Sequence, residues 1–98
     1  MSKEKYNFEL RLSYTSTLQS RFNGTFQDAR LRGDSIASRM GRTRLYAYNE
    51  KLRRWEMLGT FLGHMRYVNK WGDQCIIKDV ECFKRNANEE KKMDTIRD

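Results

Sequence analysis

An unbroken alternation of apolar and polar side chains between residues 5 and 15 constrains the fold more than any other feature of the chain. Tyr6, Phe8, Leu10, Leu12 and Tyr14 fall on one side of an extended backbone, and polar residues fall on the other. Because successive side chains of a strand point to opposite faces, this period of two predicts a β-strand with one buried face. That apolar face needs a core to pack against.

Other segments share the two-residue period and predict further strands. They are residues 21–32, with Phe22, Gly24 and Phe26 on one face; residues 42–48; residues 53–61, where Trp55, Met57, Gly59 and Phe61 share a face and the run bends toward Tyr67; and residues 75–83. Residues 35–40 fit a helix or a strand, and the turn signals Gly33-Asp34 and Gly41 favour a strand by leaving little room. Glycine inside a strand, as at Gly59, indicates a bulge or a barrel corner.

Five or six such strands predict a mostly β fold, either a small antiparallel barrel or a strongly coiled sheet. A length of 98 residues supports one domain, and no proline interrupts it. We expect the β-rich domain over residues 1–85 and a charged tail or short helix over residues 86–98. Barrel closure would remove exposed strand edges and cover the apolar face.

Two glycine-containing segments and the strand that follows them carry a resemblance. Gly59–Gly63, then Trp71-Gly72-Asp73, then Ile76–Val80 are similar to the closing hairpin of OB-fold domains that bind single-stranded nucleic acid. The resemblance implies binding across the second and third strands, where Phe22, Phe26, Arg30 and Arg32 lie. The chain departs from that family because the 49–52 connection has no room for the usual helix, so an SH3-like or Sm-like barrel, or a sheet of other topology, stays open.

The positive charge is concentrated in the middle third of the chain. Residues 21–54 contain eight arginines and one lysine against three acidic residues, while residues 55–98 balance eight bases with eight acids. Guanidinium groups are planar, permanently charged and bidentate toward phosphate, and aromatic residues among them offer faces for bases. This predicts a nucleic-acid-binding face built from Arg21, Arg30, Arg32, Arg42, Arg44, Arg53 and Arg54 for phosphates, with Tyr46, Tyr48 and Trp71 for stacking.

The same residues have plainer interpretations. Arg30, Arg32 and Arg44 fit equally as cross-strand partners of Glu9, Asp28 and Glu56. Phe22, Phe26 and Trp55 fit a core better than a stacking surface, whereas Tyr46 and Tyr48 share the polar face of Arg44 and indicate exposure.

Groups that catalysis would need are scarce, so we expect no enzyme, no cofactor and no metal. His64 is the one histidine, and Cys75 and Cys82 belong to no metal-ligand or CxxC spacing and predict free thiols. The Asp79/Glu81 pair is able to bind a divalent ion but is more often solvated.

These observations predict a non-enzymatic protein that binds nucleic acid, with single-stranded DNA or RNA preferred. An alternative is a small regulatory or inhibitory protein, of the kind that phages encode, whose basic face grips an acidic patch on a host protein. A third is a homo-oligomer subunit with Phe61, Tyr67 and Trp71 at its interface. No apolar run is long enough for a membrane span, and we expect a cytoplasmic location.

Overall fold

The computed structural model describes residues 5–87, which form six strands and two helices. In chain order these are β1 Tyr6–Leu12, β2 Leu18–Gly24, α1 Phe26–Met40, β3 Thr43–Asn49, β4 Arg54–Gly63, β5 Arg66–Asn69, β6 Gln74–Ile76 and α2 Val80–Ala87. The prediction of a mostly β fold with five or six antiparallel strands is confirmed. Residues 88–98 of the predicted tail lie outside the described residues.

The strands form one sheet in the order β2-β1-β3-β4-β5-β6, and every neighbouring pair is antiparallel. This sheet is not closed into a barrel, so the barrel prediction and its OB-like or SH3-like assignment are not confirmed. Closure was expected because the apolar face of a small sheet has to be shielded from water. The two helices supply that cover instead, by packing on one face and leaving β2 and β6 as edges.

Helix α1 occupies residues that the alternation assigned to two strands. Its N-terminus is a capping box in which the Asp28 N–H donates to Thr25 Oγ1 at 3.2 Å and the Thr25 N–H donates to Asp28 Oδ2 at 3.0 Å. Ala29, Gly33 and Ala37 recur every four residues and are buried, which is a helical spacing. The expected turn at Gly33-Asp34 is therefore an interior helical position.

Gly33 is needed because α1 lies close to the sheet. A Cβ placed on Gly33 would stand 2.2 Å from the Phe61 ring, inside any real contact distance. Phe61 is fully buried together with Phe8, Leu10, Leu45, Tyr67, Ile77 and Phe83. Since Phe61 and Tyr67 lie in this core, they cannot form the aromatic oligomer interface that the sequence suggested.

Two other predicted strands also have ends that differ from the prediction. The 53–61 run does not bend toward Tyr67 but ends at Gly63, and the chain reverses at His64 and Met65, both with positive φ. The predicted 75–83 strand stops at Ile76, because Asp79 accepts a hydrogen bond from the Cys82 N–H at 3.1 Å and begins α2. Phe83 and Ala87 then face the core at helical spacing.

Substituting Gly33 by Ala should destabilise the protein. Clash with Phe61 costs about 1–3 kcal/mol, while alanine returns at most about 1 kcal/mol of helix propensity. Urea titration followed by circular dichroism should therefore give a lower free energy of unfolding. Ser35→Ala, at an exposed position of the same helix, should match or exceed the wild type. Equal stability of the Gly33 variant would show that α1 and the sheet adjust freely.

Candidate nucleic-acid interface

Both helices lie on the same face of the sheet. Ala29 and Ala37 of α1 share one buried cluster with Phe83 and Ala87 of α2 and with Phe8 of β1. Because strand residues alternate, the neighbours of Phe8 on β1 point the other way. Within residues 5–87, neither helix covers that opposite side, which is called the open face below.

The strand register determines which side chains share the open face. Residues directly opposite in an antiparallel pair project to the same side. Glu9 pairs with Arg21 and Tyr46, Arg11 pairs with Arg44, and Tyr46 and Tyr48 pair with Met57 and Trp55. The open face therefore includes Asn7, Glu9, Arg11, Arg21, Asn23, Arg44, Tyr46, Tyr48, Trp55 and Met57.

Glu9 lies beneath two arginines at the centre of this face and is completely buried. The Nε of Arg11 donates to Glu9 Oε1 at 2.9 Å, and the Nε of Arg21 donates to Oε2 at 2.6 Å. Burial alone raises the pKa of Glu9, but the hydrogen bonds and charges of both arginines lower it, and the net pKa is below the ordinary 4.5. The carboxylate stays ionised near neutral pH and balances only one of its two cationic partners.

Guanidinium groups and aromatic rings interleave around that centre. The guanidinium carbon of Arg11 lies 4.5 Å from the Tyr46 ring centroid, and that of Arg21 lies 5.7 Å from the Trp55 ring. The Tyr48 and Trp55 rings meet edge to face with centroids 5.3 Å apart. Contacts of this kind hold the side chains in defined positions while leaving the Arg21 side chain 61% exposed.

A shallow depression of about 440 Å³ opens at one end of the face. Asn7, Arg21, Asn23, Tyr48 and Trp55 line it, and Phe22 contributes from below. The Asn23 Nδ2 donates to Asn7 Oδ1 at 3.0 Å across the β1–β2 pair. Polar amides, a cation and two aromatic rings thus meet at one concave place.

The structure brings together only some of the residues that the sequence predicted as a site. Arg21, Arg44, Tyr46 and Tyr48 lie on the open face, and exposed Arg42 immediately precedes β3. Arg53 and Arg54 are exposed at the β3–β4 connection. Arg54 pairs with Asn49, next to the open-face pair Tyr48 and Trp55, so it projects to the helix side, where it forms an ion pair of 3.2 Å with Glu56.

Three predicted site residues lie elsewhere. Arg30 sits on α1 rather than on a strand, and its buried guanidinium donates to the Ile77 carbonyl at 3.0 Å. Arg32, also on α1, stacks at 4.3 Å over Phe22, which packs against the core as expected. Trp71 lies in the β5–β6 turn, 41% exposed, with the Lys70 ammonium 5.4 Å from its ring.

Arg11 and Trp55 belong to the open face although the sequence prediction left them out. Arg11 stood at a polar position of the β1 alternation, in phase with Glu9, so a signal for it existed. Trp55 was assigned to the core because it shares a period with Phe61. The register shift at Leu45/Tyr46 leaves an extra residue in β4, and this bulge turns Trp55 and Met57 away from the core side of Gly59 and Phe61.

Among residues 5–87 no group of three or more His, Cys, Asp or Glu side chains is placed to hold a metal ion. Asp79, half of the candidate cation pair, caps α2. Cys75 and Cys82 are free thiols, and burial raises the pKa of Cys75 to about 12. Neither described helix has the length and apolar character needed to cross a membrane.

Comparison of the chain with models of known protein families, with curated proteins and with solved structures found no match. Any function therefore has to be argued from the geometry of the open face. That geometry offers cations and aromatic rings side by side on the face of the sheet opposite the two described helices.

Glu9→Gln should reduce both the stability and its dependence on acid. At neutral pH the variant loses charged hydrogen bonds and should be less stable by about 1–3 kcal/mol. Because the folded-state pKa is lowered, the contribution of Glu9 is complete above pH 4.5 and is lost as the pH falls through the folded pKa.

Urea titrations across that pH range should give wild-type and Glu9→Gln curves that converge in acid. Asp28 and Glu56, whose pKa values are also lowered, are present in both proteins, so the difference reports Glu9. Glu50→Gln, in the exposed β3–β4 turn, should follow the wild type. A constant gap between the wild-type and Glu9→Gln curves would contradict the assignment.

Proposed function

We propose that this chain is a non-enzymatic protein that binds single-stranded DNA or RNA across the open face. The observation that carries the proposal is the interleaving of Arg11 and Arg21 with Tyr46 and Trp55 on the side of the sheet that the helices leave uncovered. The proposal includes the cytoplasmic location expected from the sequence, because single-stranded nucleic acids are accessible in the cytoplasm.

Phosphate binding is the first component. Arg11, Arg21 and Arg44 lie on adjacent strands, and Glu9 compensates one of their charges. Exposed Arg42 and Arg53 add positive charge immediately before the first residues of β3 and β4. Arginine presents a planar fork that matches two phosphate oxygens at once, so a row of arginines favours a defined backbone path over loose attraction.

Base stacking is the second component and favours unpaired strands. Tyr46, Tyr48 and Trp55 are half-buried on a sheet surface, which anchors each ring and leaves part of it accessible. A base stacked on such a ring contributes about 1–3 kcal/mol, but only where its flat side is free, as it is in a single strand. Duplex readout would favour a helix fitted to the major groove, and in the described part of the chain both helices lie on the opposite side.

A host protein with an acidic patch is the rival ligand. Such a patch would use the arginines by charge alone and would gain little from the ring faces. The two proposals therefore differ in whether aromatic substitutions matter as much as charge substitutions do.

Removing one open-face charge should weaken single-strand binding and its salt dependence. A labelled single-stranded ten-mer, titrated at two salt concentrations, should bind wild type more weakly at high salt. At low salt Arg44→Gln should bind the ten-mer more weakly than wild type does. The slope of log affinity against log salt concentration should be smaller by the equivalent of about one phosphate contact.

Arg39→Gln is the matched control because it makes the same charge change on exposed α1. It should retain most of the wild-type affinity and slope. Equal losses in the two variants would indicate a non-directional charge effect, and absence of binding by wild type at low salt would reject the proposed function.

Removing the indole of the open face should lower the affinity for single strands selectively. Trp55→Leu should weaken binding of the ten-mer by about five- to a hundredfold and leave weak duplex binding unchanged. Trp71→Leu removes an indole from the β5–β6 turn and should have a small effect. Circular dichroism would verify folding of both variants.

Two results would redirect the proposal. Loss of binding in Trp71→Leu but not in Trp55→Leu would move the interface off the open face. Full binding in Trp55→Leu together with loss in Arg44→Gln would favour the purely electrostatic, acidic-partner interpretation.

A further inference from the structure

The depression at the end of the open face differs from the rest of that face in carrying uncharged hydrogen-bonding groups. Its volume of about 440 Å³ is within the ~300–1,000 Å³ typical of small-ligand sites. Asn7 and Asn23 line it beside Tyr48 and Trp55. Stacking surfaces tolerate any base, so two amides next to them raise the question of selectivity.

The two asparagines form one fixed donor and acceptor unit. They lie directly opposite in the β1–β2 register, and one hydrogen bond of 3.0 Å joins Nδ2 of Asn23 to Oδ1 of Asn7. Each amide has donor and acceptor capacity, so this bond leaves an N–H of Asn7 and the carbonyl oxygen of Asn23 for a ligand. If both side-chain amides are rotated by 180°, Asn7 donates to Asn23 instead, and the pair still offers one acceptor and one donor to a ligand, now on Asn7 and Asn23 respectively. Both residues are exposed, and the bond holds them in a defined position.

The surrounding groups match the other parts of a nucleotide. Tyr48 and Trp55 both line the depression with their rings at 66° to each other, so a flat heterocycle can lie parallel to one ring while the other contacts it at an angle. Arg21 is anchored by Glu9 through its Nε and Nη2 and remains largely exposed, so its Nη1 can reach a phosphate next to that heterocycle. Ring surface, amide pair and cation line the same concavity.

We propose that this depression receives one unpaired nucleobase, with its ring stacked on one of the two aromatic rings, Tyr48 or Trp55, and its edge hydrogen-bonded by Asn7 and Asn23. This inference rests on the proposed function and adds base selectivity to it. The four bases present different orders of donors and acceptors along their edges, so a fixed amide pair satisfies some and leaves itself unpaired against others. Elsewhere on the open face, stacking and phosphate contacts are independent of sequence.

The test measures the affinity for single-stranded homopolymer ten-mers. The DNA set contains adenine, cytosine or thymine, and the RNA set contains adenine, cytosine or uracil. Wild type should bind them with affinities that differ by about five- to a hundredfold. The double variant Asn7→Ala/Asn23→Ala should bind all of them within about threefold of one another, because stacking and phosphate contacts remain. Gln27→Ala/Gln74→Ala, which removes two exposed amides on α1 and β6, should keep the wild-type discrimination.

The outcomes separate this inference from the proposed function. Equal wild-type affinity for every homopolymer would overturn the base pocket and leave single-strand binding standing, while no binding to any would overturn both. Discrimination that survives in the asparagine double variant would overturn the role of the amides. Should circular dichroism show that the double variant does not fold, Asn23→Ala alone, on edge strand β2, repeats the measurement and should narrow the spread.

Discussion

The crossover between β2 and β3 is the constraint on which the rest of the structure depends. Both strands pair antiparallel with β1, one on each side, so they run parallel to each other. Parallel strands cannot be joined by a tight hairpin and need a connection that crosses the sheet. Helix α1 makes that crossing over one face of β1, and the close approach of Gly33 to Phe61 holds it there. Because both described helices pack on one face of the sheet, the interactions on the other face are made by the side chains of the strands.

Glu9 reduces the electrostatic repulsion among the arginines of the open face. Two guanidinium groups on neighbouring strands would repel one another, and the buried carboxylate between them removes most of that cost while fixing their directions. The same carboxylate competes with any phosphate for Arg11 and Arg21. Binding of an anion would therefore use the outward N–H groups of these arginines and of Arg44 rather than displace Glu9, which is consistent with a face arranged before its ligand arrives.

The strands followed from the sequence far better than the helices did. The alternation in β1 and β3 predicted Phe8, Leu10 and Leu45 on one face, and these residues are fully buried. Helix α1 was missed because Phe22, Gly24 and Phe26 continue the strand period and a mid-helix glycine argues against a helix by about 1 kcal/mol. Only the approach to Phe61, a contact distant in sequence, explains that glycine. For the candidate site, counting charges pointed to residues 21–54, but the pairing of β1 with β2 and β3 places Arg21 and Arg44 on the open face, while Arg30 and Arg32 lie on α1.

A single extra residue in β4 connects the core to the candidate interface. Gly59 faces the core, where a Cβ would stand 2.2 Å from the hydroxyl oxygen of buried Tyr67, so this position accepts only glycine without movement of the ring. Gly59 pairs with Leu45, but the next residue of β3, Tyr46, pairs with Met57 on the open face, because the register shifts between Leu45 and Tyr46. Without that bulge, Trp55 would share the side of Gly59 and Phe61, and the open face would lose its indole. The packing of Tyr67 against glycine and the presentation of Trp55 beside Tyr48 are thus two results of one irregularity, which is why period alone assigned Trp55 to the wrong face.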